Sequence, residues 1–137
     1  MLSNRSMPTP TMIPVLGYPD VGAAVAWLAR AFGFVERLRV GDHRAQLTLG
    51  DDVAVVVRTL DKKAAATTSN HALMIRVADV DIHHARAKQL GAIVLQGPTN
   101  FPFGERQYTV IDPGGHHWTF SQSIADVEPA TWGGVLR

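Results

Sequence analysis

The 137 residues include no cysteine. That excludes disulfides, thiolate metal sites and a thiol nucleophile, and it fits a reducing compartment. The chain also lacks an excess of either charge, with 13 Lys+Arg against 12 Asp+Glu and a net charge of +1. Phosphate backbones are bound by a surplus of Lys and Arg, so no nucleic acid partner is expected. Nor does the charge point to a membrane surface. Long apolar runs are missing too: no stretch approaches the roughly 18 residues of a membrane span. The opening MLSNRSMPTPTM has no signal-peptide core. The expectation is a soluble, cytoplasmic protein. What is present, 46% hydrophobic and 18% charged residues, suits a globular chain with a real core. The length suits one domain.

Residues 1–11 are polar and read as a loose arm. Met12 to Tyr18 reads as a strand, with Pro14 suggesting an edge or an irregular start. Asp20 is a helix N-cap. Ala24, Trp27, Leu28, Ala31 and Phe32 follow at helical spacing, and Gly33 stops the helix predicted over 21–32. Strands are predicted over 34–40, 45–49 and 53–58, separated by Gly-Asp turns. A polar stretch, 59–70, reads as a connection, and the pattern then restarts. A strand is predicted over 72–77, and Asp79 or Asp81 caps a helix that carries Val80, His84, Ala85, Lys88 and Leu90. Strands at 93–96, 106–111 and 117–121 complete the second half, the last of them after the turn Asp112-Pro113-Gly114-Gly115. The chain thus repeats β-α-β-β-β at a lag of about 60 residues, with Asp20 echoed by Asp81. A tail, 124–137, carries Trp132.

The two halves, with IPVLGYPD, WLARAFGF, RVADVD, QLGA and FGERQYTVIDPGGHHWTF, resemble the vicinal oxygen chelate superfamily, the glyoxalase/bleomycin-resistance/extradiol-dioxygenase group. The opening and closing pieces are most similar to its PhnB-like branch. The resemblance covers residues 13 to about 123. It implies an α+β fold in which two βαβββ modules, about 12–58 and 71–123, form one domain. Their curled mixed sheet surrounds a cup-shaped, ligand-holding cavity. It also implies a homodimer, for which the Trp132 tail offers apolar surface.

Enzymes of that superfamily hold a divalent metal with four side chains. The resemblance places those positions near Ile13, on the strand 53–58, at Ala72 and at Thr119. Isoleucine and alanine cannot coordinate, the strand 53–58 has no carboxylate, and a neutral hydroxyl is a poor ligand for a hard cation. His71 stands beside Ala72 but out of phase with the cup, so only a bulge would turn it inward. No metal site and no cofactor are expected.

Alternation along the strand at 72–77 places Ala72, Met74 and Arg76 on the cup face. A charge there needs a partner, either a ligand carboxylate or phosphate or an internal one. His116 and His117 are neighbours on a strand and point to opposite faces, so they do not chelate one ion. His116 reads as a turn residue. His117 shares its phase with Thr119 and Ser121, and is either an interior hydrogen-bonded histidine or a ligand-facing group. Trp118 and Phe120 take the opposite phase and are assigned, with Trp27, to packing. His83 and His84 read as part of a solvated helix face. Residues 100–106 read as a loop on which Phe101 and Phe103 form a wall or lid over the cup. Arg106 pairs either with an anionic ligand or with Glu105 or Asp112. The catalytic residues, if any, are unassigned.

Three functions remain open. The first is a metal-independent binder that sequesters a neutral or anionic aromatic antibiotic or metabolite. Its proposed site is Met74, Arg76, Phe101, Phe103, Arg106, His117 and Thr119. The second is a glyoxalase-like lyase, isomerase or dioxygenase with an atypical or histidine-based site drawing on His71, His117 and Glu105. The third is a non-catalytic structural module.

Overall fold

Each half of the chain builds a four-stranded mixed sheet backed by one helix. The computed structural model describes residues 2–60 and 71–137. They fall into two compact units, one on each side of the intervening segment. The connection expected over 59–70 lies almost wholly outside the described residues. Its first two residues belong to the first unit: Thr59 closes a strand, and the Leu60 N–H donates to the Tyr18 carbonyl at 3.0 Å.

In the first unit, β1 (Val15–Tyr18) is followed by α1 (Val21–Phe32), β2 (Val35–Val40), β3 (Arg44–Leu49) and β4 (Val53–Thr59). The sheet order is β1-β4-β3-β2, with β1 parallel to β4 and the other pairs antiparallel. Pro14 sits just before β1, an edge strand, where its missing N–H leaves no ladder bond unmade. Asp20 caps α1 by accepting from the Ala23 N–H at 3.0 Å, and Gly33 ends it at φ 81°. The helix buries Val21, Ala24, Val25, Trp27, Leu28, Ala31 and Phe32, with Trp27 meeting Phe32 edge to face at 4.9 Å.

The second unit repeats the order: β5 (Leu73–Arg76), α2 (Val80–Gln89), β6 (Ile93–Phe101), β7 (Glu105–Ile111) and β8 (His117–Ser123). Its sheet order, β5-β8-β7-β6, matches the first. The α+β, two-module architecture is as expected, with the hydrogen bonds dividing it into two sheets rather than one. Asp79 caps α2, accepting from the Ile82 N–H at 3.0 Å. The counterpart of Asp20 is therefore Asp79, and Asp81 is free for another role.

Two elements differ from expectation. The strand expected to end at residue 96 runs on to Phe101, across register shifts near Gln96, so the supposed loop 100–106 is the end of a β-hairpin. And α2 does not present His83 and His84 to solvent. With Val80 and Ala87 they share the i, i+3, i+4, i+7 stripe that faces the sheet. The His83 ring lies 4.0 Å from Phe120, and the His84 ring lies 5.2 Å from Tyr108. Trp118, Phe120 and Tyr108 are fully buried on this face, as the packing assignment of the first two required.

Candidate functional site

The register of the second sheet sorts its side chains into two faces. Leu73, Trp118 and Val110 form one row, and Ile75, Phe120 and Tyr108 the next, on the α2 side. The opposite face carries Met74-Thr119-Thr109, then Arg76-Ser121-Gln107, then Ser123-Glu105-Phe101. Arg76, Met74, Glu105 and Ser121 line a cavity of about 240 Å³ on that face.

The floor is a hydroxyl network. The Ser121 hydroxyl donates to Glu105 Oε1 at 2.7 Å, and Gln107 Nε2–H donates to Ser121 Oγ at 3.0 Å. The Thr109 and Thr119 hydroxyls share a hydrogen bond of 3.1 Å. Hydrogen bonds from Ser123 and Ser121, aided by the field of Arg76, hold the Glu105 carboxyl below its usual range against the effect of burial. Glu105 is thus ionised near neutrality and its oxygens already receive hydroxyl donors. Met74 is 64% exposed, an apolar side chain open to whatever enters.

Each expected site residue has a definite place. Met74, Arg76, Thr119 and His117 share the open face by alternation. His117 lies four residues before Ser121, about 13 Å along the strand, and so stands away from the cavity. Phe101 pairs with Glu105 across the hairpin and starts an aromatic wall: it stacks on Phe103 at 5.4 Å, and Phe103 meets Trp132 at 5.4 Å. Trp132 belongs to a short 3-10 helix, Pro129–Trp132, in the tail. Arg106 is turned the other way. Its guanidinium donates to Asp81 of α2 at 2.9 Å and to Asn100 at 2.9 Å, so it ties the hairpin to the helix. Neither Glu105 nor Asp112 is its ion-pair partner. The reason is the strand: neighbours Glu105 and Arg106 must point to opposite faces.

Sequence reasoning put Ser121 in the phase of His117 and Thr119 but passed over Gln107, Thr109 and Ser123 on the same face, and Trp132 as part of the wall. The polar members had a signal in the alternation of Glu105, Gln107 and Thr109 with Tyr108 and Val110. Trp132 had none, because tail and hairpin meet only in three dimensions. Gly104 makes that meeting possible. It sits at φ 82°, and a Cβ there would collide with the Ala125 carbonyl oxygen. Its own carbonyl accepts from the Ile124 N–H at 2.8 Å. Gly104→Ala is expected to destabilise the second unit by about 1–2 kcal/mol. It should also part Trp132 from Phe103, a change read by tryptophan emission; an unshifted spectrum and an unshifted melt would refute the clasp.

The donor set does not fit a divalent metal. Thr119 is bonded to Thr109, and Glu105 is held by serines. Among the described residues, no three of His, Asp and Glu come together as a metal-holding group. A hard cation needs several convergent charged or neutral donors.

Residues 12–120 match the Glyoxalase/Bleomycin resistance protein/Dioxygenase superfamily. TioX from Micromonospora sp. ML1 is 33% identical, superposes with a TM-score of 0.70, and is matched over 84% of this chain and 99% of its own. A glyoxalase/bleomycin resistance protein/dioxygenase family enzyme from Burkholderia phytofirmans PsJN shares the fold, with a TM-score of 0.71 at 17% identity, over 84% of this chain and 99% of that one. An uncharacterized protein of Mycobacterium bovis is 29% identical over 134 residues, which cover 86% of each chain.

Proposed function

Because the chain belongs to the glyoxalase/bleomycin resistance protein/dioxygenase superfamily, we propose that it is a metal-independent small-molecule-binding protein that sequesters an aromatic antibiotic or metabolite bearing a neutral or anionic polar group. The observation that carries this reading is the open face of the second sheet. There Met74, Arg76, Glu105 and Ser121 line a cavity beside a hydroxyl network, and Thr119, which the family resemblance aligns with a metal-binding carboxylate, is bonded to Thr109. The Phe101-Phe103-Trp132 wall begins beside Glu105, one of the cavity residues, and supplies ring faces for stacking. Arg76, opposite Ser121 in the ladder, is the cation for an anionic group, and its field already acts on the Glu105 carboxyl. Arg106 is left out of the site, its donors being committed to Asp81 and Asn100. The chain acts as a homodimer of the PhnB-like type. Trp132, Val135 and Leu136 are exposed apolar side chains in the tail that suit a second copy.

A thermal-shift screen with aromatic acids and aromatic amides tests this. A ligand at about 100 times its Kd stabilises the native state by roughly 2.7 kcal/mol. Arg76→Ala should remove the shift given by acids and spare that given by neutral rings. The alternative is a lyase, isomerase or dioxygenase with an atypical metal. Stoichiometric zinc, nickel, manganese or iron in the purified protein, lost in His71→Ala, would establish that reading and overturn this one. No described helix is long and apolar enough to cross a membrane.

A further inference from the structure

The polar segment before β1 is not loose. Asn4 opens a turn, its carbonyl accepting from the Met7 N–H at 3.1 Å and its side chain from the Ser6 N–H at 3.1 Å. Two successive main-chain carbonyls of this turn are gripped by the first sheet. Arg37 Nη2–H donates to the Arg5 carbonyl at 2.6 Å, and Gln46 Nε2–H donates to the Ser6 carbonyl at 2.9 Å. Pro8, just beyond, is buried.

The receiving pair has the marks of a recognition site. Gln46 is only 7% exposed, a buried amide on a strand where Ala45 and Leu47 pack as core. A buried amide costs free energy unless each hydrogen-bonding group is met. Gln46 meets this condition with two partners: the Arg37 guanidinium on its oxygen and the arm on its nitrogen. Arg37 is the extra residue of a β-bulge, since pairing steps from Glu36-Leu47 to Leu38-Gln46. Bulges re-aim a side chain, and this one brings Arg37 to Gln46. Ala45, Leu47 and Leu49 take the phase of Arg39, which reaches α1 at Gly22, so alternation puts Gln46 on the face away from the helix. That face of β3 corresponds to the open face of the second sheet.

We infer that Arg37 and Gln46 form a second binding site, for ligands that present adjacent amide carbonyls, such as a peptide, and that the Asn4–Pro8 turn is its displaceable internal occupant. Both contacts are made through the main chain of the arm, so they select carbonyl spacing and not the Arg5 or Ser6 side chain. An occupant tethered in the same chain competes at high effective concentration, so the site opens only to ligands that outbid it or at high ligand concentration. The site lies wholly in the first unit.

Trypsin cleavage at Arg5–Ser6, followed by mass spectrometry of the intact full chain, reads the arm. The displacing probe is the end-blocked octapeptide Ser-Asn-Gln-Ser-Met-Pro-Thr-Pro, the sequence of residues 3–10 with Arg5→Gln so that trypsin spares it. In the full chain the bond should be cut slowly, and millimolar peptide should speed cutting by about tenfold, because cleavage follows the open population. A polyether of equal length, with no carbonyl, should change nothing. Arg37→Ala, at an exposed position, and the isosteric Gln46→Glu, which removes the donor to Ser6, should be cut fast without peptide. A peptide without effect, or either variant still protected, overturns the proposal by making the arm a fixed part of the fold. Equal acceleration by the polyether overturns the amide specificity. A variant that loses the global melt does the same as a fixed arm, since the contact is then structural.

Discussion

Asp112→Ala is expected to lower stability by about 3 kcal/mol, the sum of several lost buried hydrogen bonds. In a thermal melt that is a fall in Tm of roughly 10 °C or more. Asp112 is 2% exposed and holds the turn into β8 together. Its Oδ1 accepts from the Gly114 N–H at 2.9 Å and the His116 N–H at 3.0 Å, and its Oδ2 accepts from the Trp118 indole N–H at 3.0 Å. Alanine removes both acceptor oxygens, and with them all three hydrogen bonds, and strands a donor on Trp118, which is fully buried. Asp112→Asn keeps one oxygen for the turn but sets an N–H₂ against the indole N–H, so it should fall between wild type and alanine. A melt of Asp112→Ala within a few degrees of wild type would refute this account.

Lowering the pH from about 6.5 to about 4 is expected to remove about 2–3 kcal/mol of stability through His83 alone. Burial against the sheet, reinforced by the charge of Arg86, pushes the His83 pKa down to about 4 from the ordinary 6.5. The neutral ring shares a short hydrogen bond with the Tyr108 hydroxyl, and Phe120 and His84 complete its surroundings. Because the folded pKa lies below the unfolded one, the unfolded chain binds the proton first as pH falls. The contribution is therefore whole above about 6.5, is lost progressively down to about 4, and is constant below. Partial solvent access to the ring keeps the loss within the range given. His83→Gln keeps a partner for Tyr108 and cannot titrate, so its stability should be flat across that window. An unchanged pH profile in His83→Gln would assign the acid sensitivity elsewhere. Asp81 and Glu105, both held low by their partners, lose their contributions only as pH falls below the ordinary carboxylate range.

Much of the fold was legible because local rules and tertiary packing agree there. Helix α1 has its cap at Asp20, its stripe and its stop at Gly33, and it runs from 21 to 32 as predicted. Helix α2 was harder, because its sheet-facing stripe includes two histidines. Val80, His83, His84 and Ala87 keep helical spacing, but histidine carries no apolar label, so the packed face passed for a solvated one. The hairpin failed for a related reason. Gly97 and Pro98 look like strand breakers, yet they sit where pairing already slips between Gln96 and Thr99, and the strand continues past them. Once Asn100 and Arg106 are strand residues, their phase is fixed, and Arg106 goes to Asp81.

The sequence by itself determined the doubled β-α-β-β-β plan, the capped helices and the faces of β5 and β8. Each of these depends on residue identity and on a period of 2 or 3.6, which are properties of a single segment. Only the tertiary structure decided that Glu105 joins Arg76, that Trp132 extends the wall of Phe101 and Phe103, and that the Asn4–Pro8 arm is held by Arg37 and Gln46. These pairs are far apart in the chain and are brought together by strand register, a bulge and a tail crossing a glycine. No local periodicity encodes such contacts, because they are set by how separate segments pack.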